Sequence, residues 1–317
     1  MTLINRLRSL FKTQFSPSVV EVLSEDTLIT LHNRPFYIDE LDSLDLRSNP
    51  IFEPEETRLC NALISSGDTC LDIGANIGYY SVLFAKLVGP SGKVIAAEPD
   101  PDNFKLLKKN SSLCENANTI SLHQTAFGNE EKVTALFKSK DNHGMHRLYS
   151  SICCSEESSS VSVVLGDSLN IVDIDFLKID IEGYELPALS GLKKTIENSP
   201  KIKILTEYSP LSISEAGFSP RAMIELMLSF GLTPLENLNG IWGEVSPDNL
   251  LLAADLAEKV DMPSFTKSMK NQTNQEITDS ASAALLKVNY PRPLLENLVW
   301  LPPQDVAATI DRVSNYQ

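Results

Sequence analysis

The sequence has no apolar run that approaches the length a membrane span needs. It has no C-x-x-C pair. Its five cysteines, Cys60, Cys70, Cys114, Cys153 and Cys154, are odd in number and scattered, which predicts a reducing compartment and no disulfide framework. Cysteine and histidine never cluster as zinc ligation requires. Positive charge is scarce: 27 Lys and Arg stand against 42 Asp and Glu, for a net charge of −15. That balance argues against non-specific binding to nucleic acid or to an anionic membrane surface. The opening MTLINRLRSLFKTQF lacks the continuous apolar core and small-residue cleavage site of a secretory signal. It reads as a frayed terminal helix rather than a lipid-touching amphipathic one, so the cytoplasm is the expected compartment. Without a secretory signal, the sequons at Asn110 and Asn271 carry no expectation of glycosylation. There is no internal repeat.

What is present is ordinary for a globular protein: 42% hydrophobic and 22% charged residues over 317 positions, enough for one large domain with appendages. Residues 26–38 read as two short strands around an Asn-Arg turn, in an appendage spanning 1–50. Residues 53–65 have helical spacing, with acids in the first turn. Strands and helices then alternate. Thr69–Ile73 is a strand, Ile77–Val88 a helix, Lys93–Ala97 a strand, Pro101–Leu113 a helix and Thr119–His123 a strand. Val133–Phe137 adds a strand, 139–160 is polar and loop-like, and Val161–Leu165 alternates as a strand. Phe176–Ile181 is a strong strand, Glu185–Asn198 a helix, Ile202–Thr206 a strand and Pro220–Phe230 a helix. Leu232–Leu238 and Asn249–Ala253 read as late strands. Repeated βα units with near-continuous apolar strands predict an α/β domain over 51–255, built on a mostly parallel sheet with helices on both faces. Residues 256–283 read as a flexible insertion or linker. Residues 284–317 read as an apolar arm that returns as an edge strand or docks on the domain.

In such sheets ligands sit outside the carboxyl ends of the strands. The first strand ends in Asp72, with Gly74, Asn76 and Gly78 following as D-x-G-x-N-x-G. A dinucleotide fingerprint needs glycine where Asn76 stands, and the Gly-Lys-Ser/Thr of a Walker loop is absent. Bare backbone at Gly74 admits close approach. Amides opening the helix at Ile77 favour a carboxylate, and Asp72 favours a cation. A ligand with an ammonium, a sulfonium and a carboxylate meets all three conditions, and S-adenosylmethionine is such a molecule. Glu98, ending the second strand, is placed to accept hydrogen bonds from ribose hydroxyls. Gln124 or Thr125, after the third strand, could contact an adenine edge.

Asp167, in Leu165-Gly166-Asp167-Ser168, fits turn chemistry as well as function. Asp180 and Glu182 share a face if the strand Phe176–Ile181 runs through both, and Glu207 is a third carboxylate at a strand end. Asp180, Glu182 or Glu207 could take the proton of an acceptor hydroxyl. Together they could instead bind a divalent cation through oxygen, or repel until one pKa rises. Glu185 reads as a first-turn acid that stabilises its helix. His143 and His146, in DNHGMHRLY, read as solvated loop residues ahead of candidate bases.

These residues resemble a known family. LDIGANIGYYSVLFAK, AAEPDPDNFKLLKKN and FLKIDIEGYELPALSGL are together similar to the FkbM family of S-adenosylmethionine-dependent methyltransferases, from about Phe52 to Pro210. The resemblance implies a doubly wound, Rossmann-like, mostly parallel seven-stranded sheet with a reversed strand at one edge. It implies Asp72, Gly74, Asn76 and Gly78 around the methionine moiety, Glu98 on the ribose, and a cofactor-side role for the segment around Asp180 and Glu182. It also implies O-methylation of hydroxyls on sugars, glycans or polyketide-type products. Two other readings stand beside it: a nicotinamide-dependent oxidoreductase, which the missing glycine at Asn76 disfavours, and a non-catalytic partner that keeps the cofactor fold for binding alone.

Overall fold

The structure is a computed structural model. It describes residues 27–31, 33–151, 154, 156–238, 240–268, 279, 281, 284 and 296–315. The expected terminal helix, Cys153 and Asn271 lie outside the described residues.

Near the N-terminus, β1 (Leu28–Leu31) and β2 (Arg34–Tyr37) pair antiparallel as the expected hairpin. Helix α1 (Pro54–Leu63) follows. The core alternates as the apolar runs dictate: β3 (Thr69–Ile73), α2 (Tyr79–Val88), β4 (Lys93–Ala97), α3 (Pro101–Leu113) and β5 (Ile120–His123). Helix α3 starts sharply because the Asp100 carboxylate accepts the amides of Asp102 and Asn103, and Pro101 supplies a preset φ at its first position. A separate three-stranded sheet holds β6 (Ala126–Gly128), β7 (Lys132–Lys138) and β8 (Glu156–Leu165), in the order β6-β8-β7. Strand β8 therefore starts inside the stretch expected as loop, because its pairing with β7 carries the polar residues 156–160.

The main sheet continues with β9 (Phe176–Ile179), α4 (Glu185–Gly191), α5 (Lys193–Glu197), β10 (Lys203–Tyr208), α6 (Pro210–Glu215), α7 (Pro220–Ser229), β11 (Thr233–Leu238) and β12 (Ile241–Glu244). Helix α8 (Pro247–Ala257), α9 (Met262–Ser268), β13 (Glu296–Leu301) and α10 (Val306–Asn315) complete the described elements. The order β12-β11-β13-β10-β9-β3-β4-β5 makes eight strands, one more than expected. Strand β12 supplies the eighth by folding back on β11.

Four expectations need correction. Two strands are reversed rather than one: β12 at the edge, and β13, which lies antiparallel between β10 and β11, so that the described part of the arm, 296–301, is in the core, with Leu298, Val299 and Trp300 fully buried. Asn249–Ala253 is helical, because Leu250, Ala253, Ala254 and Ala257 bury one face at helical spacing after Pro247. The segment 256–283 is not simply linker: α9 lies within it, and Ala281 is buried in a cluster with Leu211, Ala253 and Ala257. The helix expected over Glu185–Asn198 is two short helices that meet at Leu192.

Two large hydrophobic clusters carry the sheet, one holding Phe84, Phe176 and Val299, the other Leu71, Ile179, Tyr208 and Trp300. Burying each such side chain contributes about 1.5–3 kcal/mol. Among the described residues, no helix is long and apolar enough to cross a membrane.

Candidate active site

A cavity of about 240 Å³ opens at the carboxyl ends of β3, β4, β9 and β10, where parallel α/β sheets bind ligands. One wall is the β3–β4 side. Gly74 takes φ +82°, and a Cβ there would stand 2.0 Å from the carbonyl oxygen of Asp180. What approaches this bare backbone is therefore the chain after β9, which closes against the turn. Gly78, at φ +96°, ends the turn, so α2 begins at Tyr79 rather than at Ile77. Ile77 is fully buried and its amide does not open the helix. Asn76 lines the cavity, and its amide donates to Glu98 Oε2 at 2.9 Å. Glu98 Oε1 accepts the Asp100 amide at 2.8 Å. Burial pushes the Glu98 carboxyl up to about 8 despite these two amides.

Asp72 is not on this wall. It is fully buried, and Ser81 Oγ donates to its Oδ2 at 2.6 Å, while Oδ1 has no hydrogen-bond partner among the described residues. Burial raises its pKa, and the charge of Lys178 works against that rise. Its strand-end side chain turns toward α2, so the expected direct contact with a ligand cation is replaced by service to Ser81 and Lys178. Gln124 is exposed and absent from the cavity lining. Thr125 lines the cavity, but its hydroxyl donates to the Ser162 carbonyl at 2.9 Å, tying β5 to the small sheet. Asp167 lies elsewhere and accepts the amides of Lys194 and Thr195 at the start of α5, a capping role.

The opposite wall belongs to β9 and β10. Strand β9 ends at Ile179, so Asp180 and Glu182 do not share a strand face. They come together through a turn in which Glu182 takes φ +58°. The Tyr149 hydroxyl pins that turn by donating to the carbonyls of Glu182 and Ser212 at 2.7 and 3.1 Å. Glu185 is buried at the first position of α4, and its Oε1 accepts the amides of Ile181 and Gly183 at 2.9 and 3.3 Å. Its role is thus to shape the loop, and burial raises its pKa to about 7. Carboxylate oxygens of Asp180, Glu182 and Glu207 lie within 4.8 Å of one another. Glu207, on β10, is pushed well above the usual carboxylate range, first by burial and then by the charges of Glu182, Asp180 and Glu185.

Four residues here, Lys178, Glu53, Arg147 and Tyr149, were not singled out from the sequence. Lys178 lines the cavity from inside the apolar run FLKI. Its ammonium is 2.9 Å from Asp180 Oδ2 and 4.7 Å from the centre of the Tyr80 ring. Burial opposes its charge, but Asp180, Glu53 and Asp72 more than offset this and hold its pKa above the usual value. Glu53 accepts from the Tyr80 hydroxyl at 2.7 Å, and burial lifts it to about 7. Arg147 is buried between two acids, 2.9 Å from Glu182 and 3.1 Å from Glu215. A lysine in an otherwise apolar strand was the one signal available, since a buried charge demands a partner. Arg147, Tyr149 and Glu53 gave none.

The segment 142–146 roofs the cavity. His143 sits 3.3 Å from Asp39 and is outside the lining, so it is a clip rather than a base. His146 lines the cavity, accepts the Ser139 amide on Nδ1 at 3.2 Å, and is depressed to about 4 by burial. It is neutral near pH 7, and with Nδ1 accepting, Nε2 carries the proton. His146 is therefore a donor in this state, not the solvated residue expected.

Comparison with known proteins identifies the family of this chain. A family model described as the methyltransferase FkbM domain matches residues 72–233, a stretch that runs from Asp72 to the start of β11 and contains both Glu98 and the three clustered acids. Methyltransferase 1 of Beauveria bassiana is 29% identical over 150 residues, covering 38% of this chain and 57% of that protein. The hexuronic acid methyltransferase AglP of Haloferax volcanii is 24% identical over 188 residues, covering 58% of this chain and 71% of that protein. A solved FkbM methyltransferase from Methylobacillus flagellatus KT superposes with a TM-score of 0.40 at 18% identity, covering 65% of this chain and 47% of that one. The chain thus spans little more than half of the Beauveria protein and less than half of the Methylobacillus one. The family model nonetheless takes in more than half of the sequence, and the chain belongs to the FkbM family of methyltransferases.

Proposed function

We propose that this chain is an S-adenosylmethionine-dependent O-methyltransferase acting on a hydroxyl of a sugar, a glycan or a secondary metabolite. The observation that carries the reading is the acid surplus of one cavity: Glu53, Glu98, Asp180, Glu182 and Glu207 line it, and Lys178 is the one Lys or Arg among the described lining residues. A sulfonium or ammonium entering among these acids favours their ionised form and is attracted by it, whereas a diphosphate would be repelled by each acid that ionises. Family membership points the same way and removes the motive for the nicotinamide alternative.

The residues present fit this cofactor. Each Glu98 oxygen takes one backbone amide and keeps a lone pair, so the group, once ionised beside a cationic cofactor, can accept from two neighbouring ribose hydroxyls. When bound, S-adenosylmethionine supplies an electrophilic methyl group, whose transfer breaks its carbon–sulfur bond and forms the carbon–oxygen bond of a methyl ether. The chain's part is to hold and orient the acceptor and to receive its proton. Asp180, fixed by Lys178, and Glu182, fixed by Arg147, each keep a carboxylate oxygen for the acceptor's proton. Phe52 and Met145 add apolar surface to the cavity lining. The name of the Haloferax relative supports a sugar acceptor.

Thermal unfolding with S-adenosylmethionine, S-adenosylhomocysteine or NAD at millimolar concentration tests the cofactor, and release of S-adenosylhomocysteine with a panel of neutral sugars and uronates tests the acceptor. Stabilisation by both sulfur compounds and not by NAD is expected. No shift with either, or a shift with NAD, sinks the proposal.

A further inference from the structure

We propose that Asp180, Glu182 and Glu207 form a binding site for one divalent cation of the oxygen-preferring kind. Asp180 and Glu182 come from the turn after β9, and Glu207 from the adjacent parallel strand β10. One oxygen from each lies within 4.8 Å of the others. Oxygens bound to a single Mg²⁺ or Ca²⁺ at about 2.0–2.6 Å stand roughly 3–5 Å apart, so one ion can reach all three.

A second observation points to a ligand here. Glu207 is 8% exposed and lines the cavity, yet its Oε2 has no hydrogen-bond partner among the described residues. Buried polar atoms are normally paired, and an orphan calls for a partner that the chain itself does not supply. The two neighbouring acids each have one. Asp180 gives Oδ2 to Lys178 and Glu182 gives Oε2 to Arg147, which leaves the other oxygen of each for a further ligand. Two cationic side chains thus form ion pairs with two of the three acids, and the third faces the cavity without an ion pair among the described residues.

The donor set decides the class of ion. Three carboxylates, with no thiolate or imidazole among them, suit Mg²⁺, Mn²⁺ or Ca²⁺ rather than Zn²⁺ or Cu²⁺. An ion held there would face the cavity and could take an acceptor hydroxyl as a further ligand, lowering its pKa. That last consequence rests on the proposed methyl transfer. The binding site itself does not.

The test uses the full chain freed of metal with EDTA. Mn²⁺ is titrated and followed by its paramagnetic resonance signal, and melting temperature is read in parallel with Mg²⁺, Mn²⁺ and Ca²⁺. One saturable Mn²⁺ site per chain is expected, with a rise in melting temperature. Glu207→Gln keeps the shape and removes the charge, and it should weaken Mn²⁺ binding by at least about tenfold. Asp180→Asn should weaken it as well, and it serves if Glu207→Gln does not fold. Glu197→Gln, on the surface of α5, should leave binding unchanged. No saturable site at millimolar Mn²⁺, as would follow if the Glu207 oxygen simply carries a proton, overturns the proposal. So does a site that survives both substitutions. Binding of S-adenosylhomocysteine in EDTA is measured separately. A chain that binds it but shows no saturable Mn²⁺ site defeats the cation site alone, and one that binds Mn²⁺ but no sulfur compound defeats the methyl-donor reading alone.

Discussion

On the β3–β4 wall, Glu98 is satisfied by the amides of Asn76 and Asp100, 22 residues before it and two after it. On the β9–β10 wall, Glu182 is satisfied by Arg147, 35 residues away, and Arg147 also reaches Glu215, 68 residues from it. The first wall uses backbone donors, which any sequence supplies once the turn forms. The second uses side-chain cations that meet their acids only in the finished fold. The first can stay constant while substrates change. The second is where substrate choice can be written, because each of its contacts depends on a particular side chain.

The two walls touch at Gly74, and the largest effect is expected there. Gly74→Ala puts a Cβ 2.0 Å from the Asp180 carbonyl in a left-handed backbone. Strain and overpacking each cost about 1–3 kcal/mol, so urea unfolding should show a loss of about 4 kcal/mol or a chain that does not fold. A loss under about 1 kcal/mol would mean the walls are not joined at this point. Next comes Arg147→Met, which leaves Glu182 and Glu215 buried without their shared cation. A loss of about 3–5 kcal/mol is expected. Adding Glu182→Gln and Glu215→Gln should restore much of it. If the triple variant is no more stable than the single one, the wall is not held by charge compensation.

The same contrast explains what could be read from the sequence. The D-x-G-x-N-x-G turn, the place of Glu98 after the second strand and the alternation of strands and helices were legible because each depends on residues close together in the chain. For Asp72, period-two alternation says that a strand-end side chain takes one face, but not which, and here it faces Ser81 on α2. Asp180 and Glu182 were grouped correctly for a wrong reason: a turn at φ +58°, not a shared strand face, brings them together. The β13 arm was legible as apolar but not as interior, since its partners β10 and β11 lie about 60–100 residues back and long-range pairing leaves no local mark. Arg147 and Tyr149 sit in a polar stretch whose chemistry appears only when it folds over the β9 turn.

The walls also share a pH response. Burial raises Glu98 to about 8 and Glu53 and Glu185 to about 7, from 4.5. The folded state then holds protons that the unfolded chain has released, so stability is full below about pH 4.5 and is lost as pH rises toward 8. His146, lowered from 6.5 to about 4, has the opposite sign, and its contribution is lost as pH falls below 6.5. Between about pH 6.5 and 8 only the acids act. Urea unfolding across that window should show a decline on the order of 2 kcal/mol. A flat or rising profile would contradict the burial of these carboxyls.

The smallest effect separates two acids of the first wall. Glu98 and Asp72 end adjacent strands, and both were expected on the cofactor, but only Glu98 lines the cavity. Glu98→Gln turns one acceptor oxygen into an amide that repels the Asn76 or Asp100 amide or faces a ribose hydroxyl wrongly. A hydrogen bond to a charged group is worth about 1.5–3 kcal/mol, so S-adenosylhomocysteine should bind at least about tenfold more weakly by calorimetry. Asp72→Asn keeps the Ser81 bond and touches no cavity surface, so it should change that affinity by less than about threefold. Equal losses would place Asp72 back on the cofactor and erase the distinction between what a strand-end acid does when it faces the cavity and when it faces the helix behind it.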